Sequence, residues 1–173
     1  MNKTKKITFC AVMAALAAAF MLLSYFPYFT YAIPAVSGLF IMVTVIETDR
    51  KWALAAYIAS AVPVFIMAES ESKLMYILLF GYYPILKAKV ETLKKPALEW
   101  ILKIIVFNIA VLAIYLMFSK LFGISIDDFG ELGKYGAYVF LAIGNIVFVI
   151  YDVAVSRMAM FYLNIVRPKI KRF

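Results

Sequence analysis

Five long stretches of this sequence contain no charged residue. The longest, residues 7–46, runs for 40 positions without Asp, Glu, Lys or Arg. The other four are 52–68, 74–86, 104–119 and 135–151. In the whole chain 66% of residues are hydrophobic and the mean hydropathy is +0.93, whereas roughly half of the residues are apolar in soluble domains. Because a helix needs about 20 apolar residues to cross a bilayer core, the stretches predict transmembrane helices.

The longest stretch has room for two crossings. The segment YFPYFTYAIP divides it, since Pro27 and Pro34 disfavour helical backbone at the residues before them. The sequence therefore predicts an all-α integral membrane protein, with residues 1–173 forming one domain and six transmembrane helices in one bundle. The predicted spans lie at about 7–26, 32–46, 52–68, 73–90, 99–121 and 137–163.

The basic residues predict the orientation of these spans. Basic residues in short loops concentrate on the cytoplasmic side of a membrane. If both termini are cytoplasmic, 13 Lys and Arg residues lie on that side, and only Lys73, Lys120 and Lys134 lie outside. Lys87 and Lys89, at the end of the fourth span, are expected to extend their charged ends to the interface. We therefore expect both termini to be cytoplasmic.

Residue types that support catalysis are scarce. The chain has no His and a single Cys, Cys10, which excludes the usual zinc sites and the Ser-His and Cys-His nucleophile pairs. The segment GELGKYG lacks the spacing of a phosphate-binding loop. The adjacent Asp127 and Asp128 are more typical of a solvated loop than of a cation site. The sequence predicts no enzyme, no ATPase, no cofactor and no metal site.

Small residues line one face of the first helix. Ala11, Ala14, Ala15 and Ala18 follow the i, i+3, i+4, i+7 spacing of a single helical face. Small side chains let helix backbones approach closely in lipid. This face therefore indicates either internal packing of the bundle or docking to a partner protein.

Polar residues recur inside the last three spans. Asn145 and Asp152 are seven residues apart on the sixth span, and Asn108 and Tyr115 have the same spacing on the fifth. In the fourth span, Gly81 and a nearby proline, Pro84, are expected to loosen the helix. The spacing predicts a polar interior shared by these three helices.

Asp152 is the carboxylate deepest in an apolar span. Such a charge costs several kcal/mol unless it faces a cavity or finds a partner. It could pair with Lys103 or Arg157 and hold helices together. It could instead form the floor of a pocket, in which case a ligand with an amine or a cationic ring would suit it.

The layout resembles a known family. A basic N-terminus, six spans, both termini inside and an AxxxA pattern at Ala11 and Ala15 resemble the substrate-binding S component of energy-coupling factor (ECF) transporters. The segments FGYYPILKAKVE and PALEWILKIIVFN are similar to segments of uncharacterised clostridial-type members.

The resemblance implies a function and a set of partners. An S component in the plasma membrane of a bacterium captures a vitamin-like molecule from outside. It then associates with a membrane coupling protein and two cytoplasmic ATPase subunits, and topples in the bilayer to release its cargo. The alanine face of the first helix would be the docking surface, formed by Ala11, Ala14, Ala15 and Ala18.

The resemblance also implies where the ligand binds. The site would lie in the outer half between helices 4 to 6, capped by FPYFT, by ESESK and by residues 119–135. The candidate ligand-binding residues are Tyr31, Glu71, Tyr76, Tyr83, Asn108, Tyr115, Asn145 and Asp152.

Two other classes of function fit the same layout. One is a membrane scaffold resembling the rod-shape-determining membrane protein of the cell-wall elongation machinery, which would need no ligand pocket. The other is a lipid-modifying or lipid-translocating protein. Copurified ATPase subunits would favour the transporter, and copurified cell-wall proteins would favour the scaffold.

Overall fold

The computed structural model describes residues 2–26, 28–122 and 136–170, and every regular element in these ranges is helical. Pro27 and residues 123–135, which include Asp127 and Asp128, lie outside them. The α-helices are α1 (Lys3–Met21), α2 (Ala32–Glu47), α3 (Arg50–Met67), α4 (Ser70–Met75), α5 (Tyr83–Val90), α6 (Pro96–Phe122), α7 (Gly136–Phe161) and α8 (Arg167–Ile170). Two 3-10 turns (Leu22–Tyr25 and Glu91–Leu93) and two π turns (Tyr76–Phe80 and Tyr162–Val166) extend them.

The prediction of an all-helical membrane protein is confirmed in its coarse form. Four helical segments are long and apolar enough to cross a membrane: Lys3–Tyr25, Arg50–Met67, Pro96–Met117 and Leu141–Lys169. The second predicted span is the 16-residue helix α2. At 1.5 Å per residue it extends about 24 Å, which is shorter than the roughly 30 Å hydrocarbon core.

The fourth predicted span is interrupted near its middle. α4 passes into the π turn, where the Gly81 amide donates to the Tyr76 carbonyl at 2.8 Å, and α5 begins two residues later. A Cβ atom on Gly81 would lie 2.7 Å from the Tyr57 ring, so this close approach requires glycine. Pro84 occupies the first turn of α5, where a proline costs no helical hydrogen bond. The loosening predicted at Gly81 and Pro84 is therefore confirmed.

Helix α1 packs against both α2 and α3. One core cluster holds Cys10 and Ala14 of α1 together with Ile41 of α2 and Ala53 and Ala56 of α3. Small side chains dominate this cluster, so the three backbones lie close together.

The α2–α3 turn is fixed by Asp49. Its carboxylate caps α3 by accepting from the backbone amides of Lys51 (3.1 Å) and Trp52 (3.3 Å). It also accepts from Lys6 of α1 at 2.9 Å. The hydrogen bond from Lys6 lowers the pKa of Asp49. Asp49 therefore marks one end of the bundle, called here the Asp49 end, and the opposite end, which carries the α1–α2 loop, is called the Tyr31 end.

Candidate ligand-binding site

A cavity of about 520 Å³ lies among α2, the π turn, α6 and α7. This volume is within the range of small-molecule pockets, roughly 300–1,000 Å³. Each of these elements contributes apolar side chains to the wall. They include Ala32, Ala35, Leu79, Phe80, Phe107, Val111, Val147 and Phe148. Tyr31 and Met75 line it at the Tyr31 end. The structure therefore contains a ligand-sized space bounded by the π turn, α6 and α7, which belong to the three helices where the resemblance implied a site, and by α2, which was not among them.

Two tyrosines carry the hydroxyl groups of the cavity wall in the described residues. The Tyr31 hydroxyl donates to Glu71 Oε2 at 3.1 Å, so these two predicted ligand-binding residues meet where Tyr31 lines the cavity. Burial, followed by the charge of Glu71, raises the pKa of Tyr31. The second is Tyr151, whose hydroxyl is buried without a partner among the described residues.

The loops after α1 and α3 are joined at the Tyr31 end of the cavity. The Tyr25 hydroxyl donates to the Met67 carbonyl at 3.0 Å, and the Ser72 hydroxyl donates to the Thr30 carbonyl at 2.8 Å. These bonds add to the one between Tyr31 and Glu71. Two of the three loops predicted to cap the site therefore lie together at its Tyr31 end, and most of the third, residues 123–135, lies outside the described residues.

Asp152 lies at the centre of a buried group of charges. Its Oδ1 atom accepts from Lys87 Nζ at 2.5 Å and from the Tyr83 hydroxyl at 2.5 Å, and its Oδ2 atom accepts from Lys103 Nζ at 3.3 Å. Glu91 Oε1 lies 2.9 Å from Lys87 Nζ and 3.1 Å from Lys103 Nζ. We call Lys87, Glu91, Lys103 and Asp152 the charged cluster. It balances two positive charges with two negative ones and joins α5 and its 3-10 extension to α6 and α7.

The charged cluster settles which basic residues pair with Asp152 in the structure. Lys103, one of the two predicted partners, does so, whereas Arg157 is exposed and forms no ion pair among the described residues. The prediction that Lys87 extends to the interface is wrong, because Lys87 is only 5% exposed. Burying Asp152 without a counter-charge would be costly, and Lys87 provides that charge at the closest distance. Lys89 is exposed, as expected.

An aromatic layer lies between the charged cluster and the cavity. The Phe107 and Phe148 rings stack with centroids 4.4 Å apart, and Tyr83 meets Phe148 edge-on at 5.2 Å. Phe107 and Phe148 line the cavity, and Tyr83, whose ring contacts Phe148 and Tyr151, donates to Asp152. Tyr83 and Asp152 are not among the described lining residues. Of the two roles considered for Asp152, the geometry therefore favours the structural pair.

Asn108 and Asn145 bind each other across α6 and α7. Each Nδ2 atom donates to the partner's Oδ1 atom, at 3.0 and 3.1 Å, and also to the carbonyl four residues earlier in its own helix, at 2.8 Å. The two side-chain amides thus satisfy each other. Both asparagines were predicted to face a ligand, and neither lines the cavity in the described wall.

The other predicted tyrosines are also separate from the cavity. Tyr76 is fully buried and hydrogen-bonds Ser60 at 2.7 Å within the core around α3. Tyr115 has a buried hydroxyl without a partner among the described residues. Of the eight candidate residues, Tyr31 lines the cavity directly and Glu71 reaches it through Tyr31.

The cavity residues that the sequence interpretation missed are mainly aliphatic and aromatic. Phe107, Val111 and Ile114 are spaced i, i+4, i+7, and Gly144, Phe148 and Tyr151 repeat that spacing on α7. This periodicity was available as a signal. It predicts an inward face, but it does not distinguish a cavity wall from a packed core.

The alanine face of α1 is divided between two environments. Ala14 is buried and Ala18 is partly buried within the bundle, whereas Ala11 and Ala15 are exposed. Ala19 extends the exposed row by one more turn. We call Ala11, Ala15 and Ala19 the alanine ridge. Internal packing therefore uses the inner half of the predicted face, and the ridge is left open.

The fold and the cavity define an all-helical membrane protein with a ligand-sized space between its helices. Comparisons of this chain with family models, with curated proteins and with solved structures find no match.

Proposed function

We propose that this protein captures a small molecule for uptake as the S component of an ECF-type transporter. The observation that carries the proposal is the cavity of about 520 Å³, whose wall includes Tyr31 beside the joined loops after α1 and α3. A scaffold that only binds other membrane proteins has no need for such a space. The helical packing leaves it between α2, α6 and α7, where a ligand could be enclosed.

The proposed topology has six spans, with both termini in the cytoplasm of a bacterium. Four segments are long enough to cross on their own. In this arrangement α2 and the interrupted α4–α5 segment complete the six, because neighbouring helices and local thinning of the bilayer accommodate short segments. The Asp49 end is then cytoplasmic and collects most of the basic residues, while the cavity opens toward the outside.

The alanine ridge is the proposed docking surface for a membrane coupling protein. Exposed small residues four positions apart permit close contact with another helix in lipid, where dispersion contacts drive association. The energy for release would come from two cytoplasmic ATPase subunits. The sequence has no phosphate-binding loop with the required spacing, which agrees with this division of labour.

Coexpression with the coupling protein and both ATPase subunits of an ECF transporter tests the proposal. Affinity purification through this chain should recover all three partners. Replacing Ala11 and Ala15 with Leu should remove them, because the bulkier side chains keep the two helices apart. Ligand-binding measurements on the same variant should be unchanged, since both residues are exposed and neither lines the cavity.

A second pair of alanines supplies the matched control. Ala55 and Ala59 are also four residues apart and exposed, but on α3. Replacing these two with Leu should leave the partners bound. If both double variants retain the partners, or both lose them, the alanine ridge is not the docking surface. If cell-wall elongation proteins copurify and the transporter subunits do not, the scaffold function replaces this proposal.

A further inference from the structure

We infer that the cavity binds an uncharged, largely apolar molecule with a planar ring. This inference rests on the proposed function, whose ligand site it describes more closely. It differs from the amine or cationic ring that a carboxylate floor would suit, because the structure places Asp152 elsewhere.

The composition of the wall is the first reason. Thirteen of the fifteen lining residues in the described part of the chain have no hydroxyl, amide or charged group. Neither of the two exceptions, Tyr31 and Tyr151, is charged at neutral pH. A charged ligand in this space would lose its hydration without gaining a counter-charge or a set of hydrogen bonds. An apolar ligand has no such hydration to lose, and the burial of its apolar surface is favourable.

The state of the nearby charges is the second reason. The charged cluster already balances its four charges internally, and the aromatic layer of Phe107 and Phe148 separates it from the cavity. Glu71 accepts the hydrogen bond from Tyr31, and Glu69 is also close enough for its charge to act on Tyr31. Glu71 is the acidic side chain bonded directly to a described residue of the cavity wall, so it becomes a control in the test.

The aromatic side chains indicate the shape of the ligand. The rings of Phe80, Phe107, Phe148 and Tyr151 all contribute to the wall. Aromatic rings favour stacked or edge-on contacts with another ring. A flat ring system therefore suits this wall better than a flexible chain does.

Three probes that share one ring system and differ in charge test the inference. They are 2-naphthylmethanol, which is neutral, 2-naphthylmethylamine, which is cationic at pH 7, and 2-naphthoate, which is anionic. Binding is measured by equilibrium dialysis against the full-length protein in lipid nanodiscs, with empty nanodiscs subtracted to remove partitioning into lipid. The neutral probe should bind at least tenfold more tightly than either charged probe.

A pair of valine variants on α7 assigns this binding to the cavity. Val147 lines the cavity and is 56% exposed, so Val147→Phe should fill part of the space without disturbing a packed core. This change should weaken binding of the neutral probe at least tenfold. Val153 is 43% exposed and does not line the cavity, so Val153→Phe should leave binding unchanged.

The possible failures have different meanings. Preferred binding of the cationic probe, with loss of that binding in Glu71→Gln, would overturn the uncharged-ligand inference and leave the small-molecule site of the proposed function intact. Preferred binding of the anionic probe would overturn it in the same way. If none of the probes binds saturably, or if Val147→Phe has no effect, the apolar-ligand assignment of this cavity is wrong. Copurification with the transporter subunits tests the proposed function separately, whatever the outcome of these binding measurements.

Discussion

The substitution Asp152→Asn examines the charged cluster directly. Asp152 is 3% exposed and accepts from Tyr83, Lys87 and Lys103. Its replacement by Asn leaves two buried ammonium groups facing a single carboxylate, Glu91. Breaking a buried ion pair from one side costs about 3–5 kcal/mol. Glu91 still contacts both lysines and is partly hydrated, so we expect the lower part of this range, about 3 kcal/mol.

Thermal unfolding of the purified protein without ligand measures this loss. By the scaling for domains of similar length, about 2–4 °C per kcal/mol, the melting temperature should fall by about 6–12 °C. The substitution keeps the volume of the side chain and part of its hydrogen bonding. The fall is therefore attributable to the lost charge rather than to a cavity.

Double variants show whether charge balance is the cause. Adding Lys103→Met to Asp152→Asn removes the surplus positive charge, because Lys87 and Glu91 then form a balanced pair 2.9 Å apart. Part of the stability should return. Adding Arg157→Met should restore nothing, because Arg157 is exposed and outside the cluster. The reasoning is refuted if Asp152→Asn is as stable as the parent protein, or if the Arg157 variant rescues it and the Lys103 variant does not.

Two further substitutions test the packing around the cavity. Gly81→Ala should destabilise the protein by about 1–3 kcal/mol, because the added Cβ atom would lie 2.7 Å from the Tyr57 ring. Gly144→Ala is its control and should be tolerated, since the nearest atom there is 3.5 Å away, and thermal unfolding of both variants checks the difference. Asn108→Leu should cost about 0.6–2 kcal/mol by leaving the Asn145 amide without its partner. In a double-mutant cycle, Asn145→Leu should add little further loss, and additive losses would show that the pair does not act as a unit.

Helix positions were accessible from the sequence because charge and apolar length are local properties. Each charge-free stretch contains a helical segment in the described residues, and the longest one is divided by the loop between Tyr25 and Ala32. The length of α2 and the π turn before Gly81 were harder to predict, since both depend on neighbours. The Tyr57 ring against Gly81, for example, is contributed by α3. The glycine and the nearby proline indicated an irregular helix at Gly81. The π turn that the structure shows there depends on packing against other helices.

Only one of the two basic partners of Asp152 could be predicted from the sequence. Lys103 could be proposed because it is a basic residue within a predicted apolar span, away from the end where Lys120 lies. Lys87 could not be separated from Lys89, since both end the same stretch and look equally interfacial. Two positions along a helix differ by about 200° around its axis, so one side chain faces α7 and the other faces away. Only the rotation of α5 in the bundle decides between them.

The charged cluster is separate from the cavity. This explains how helices that carry polar residues can line an apolar site. The spacing of Asn108, Asn145 and Asp152 predicted one continuous polar interior. Instead, the asparagines satisfy each other and the charged cluster satisfies Asp152, so each polar group is used in joining helices. The hydrophobic effect does not drive helices together in lipid, since lipid tails are equally apolar, so close packing and polar pairs supply the specific contacts. With α5, α6 and α7 held at the Asp49 end by the charged cluster, the cavity nearer the Tyr31 end needs no polar residues to hold its walls together. The side chains of the cavity wall then have one task, which is to contact the ligand.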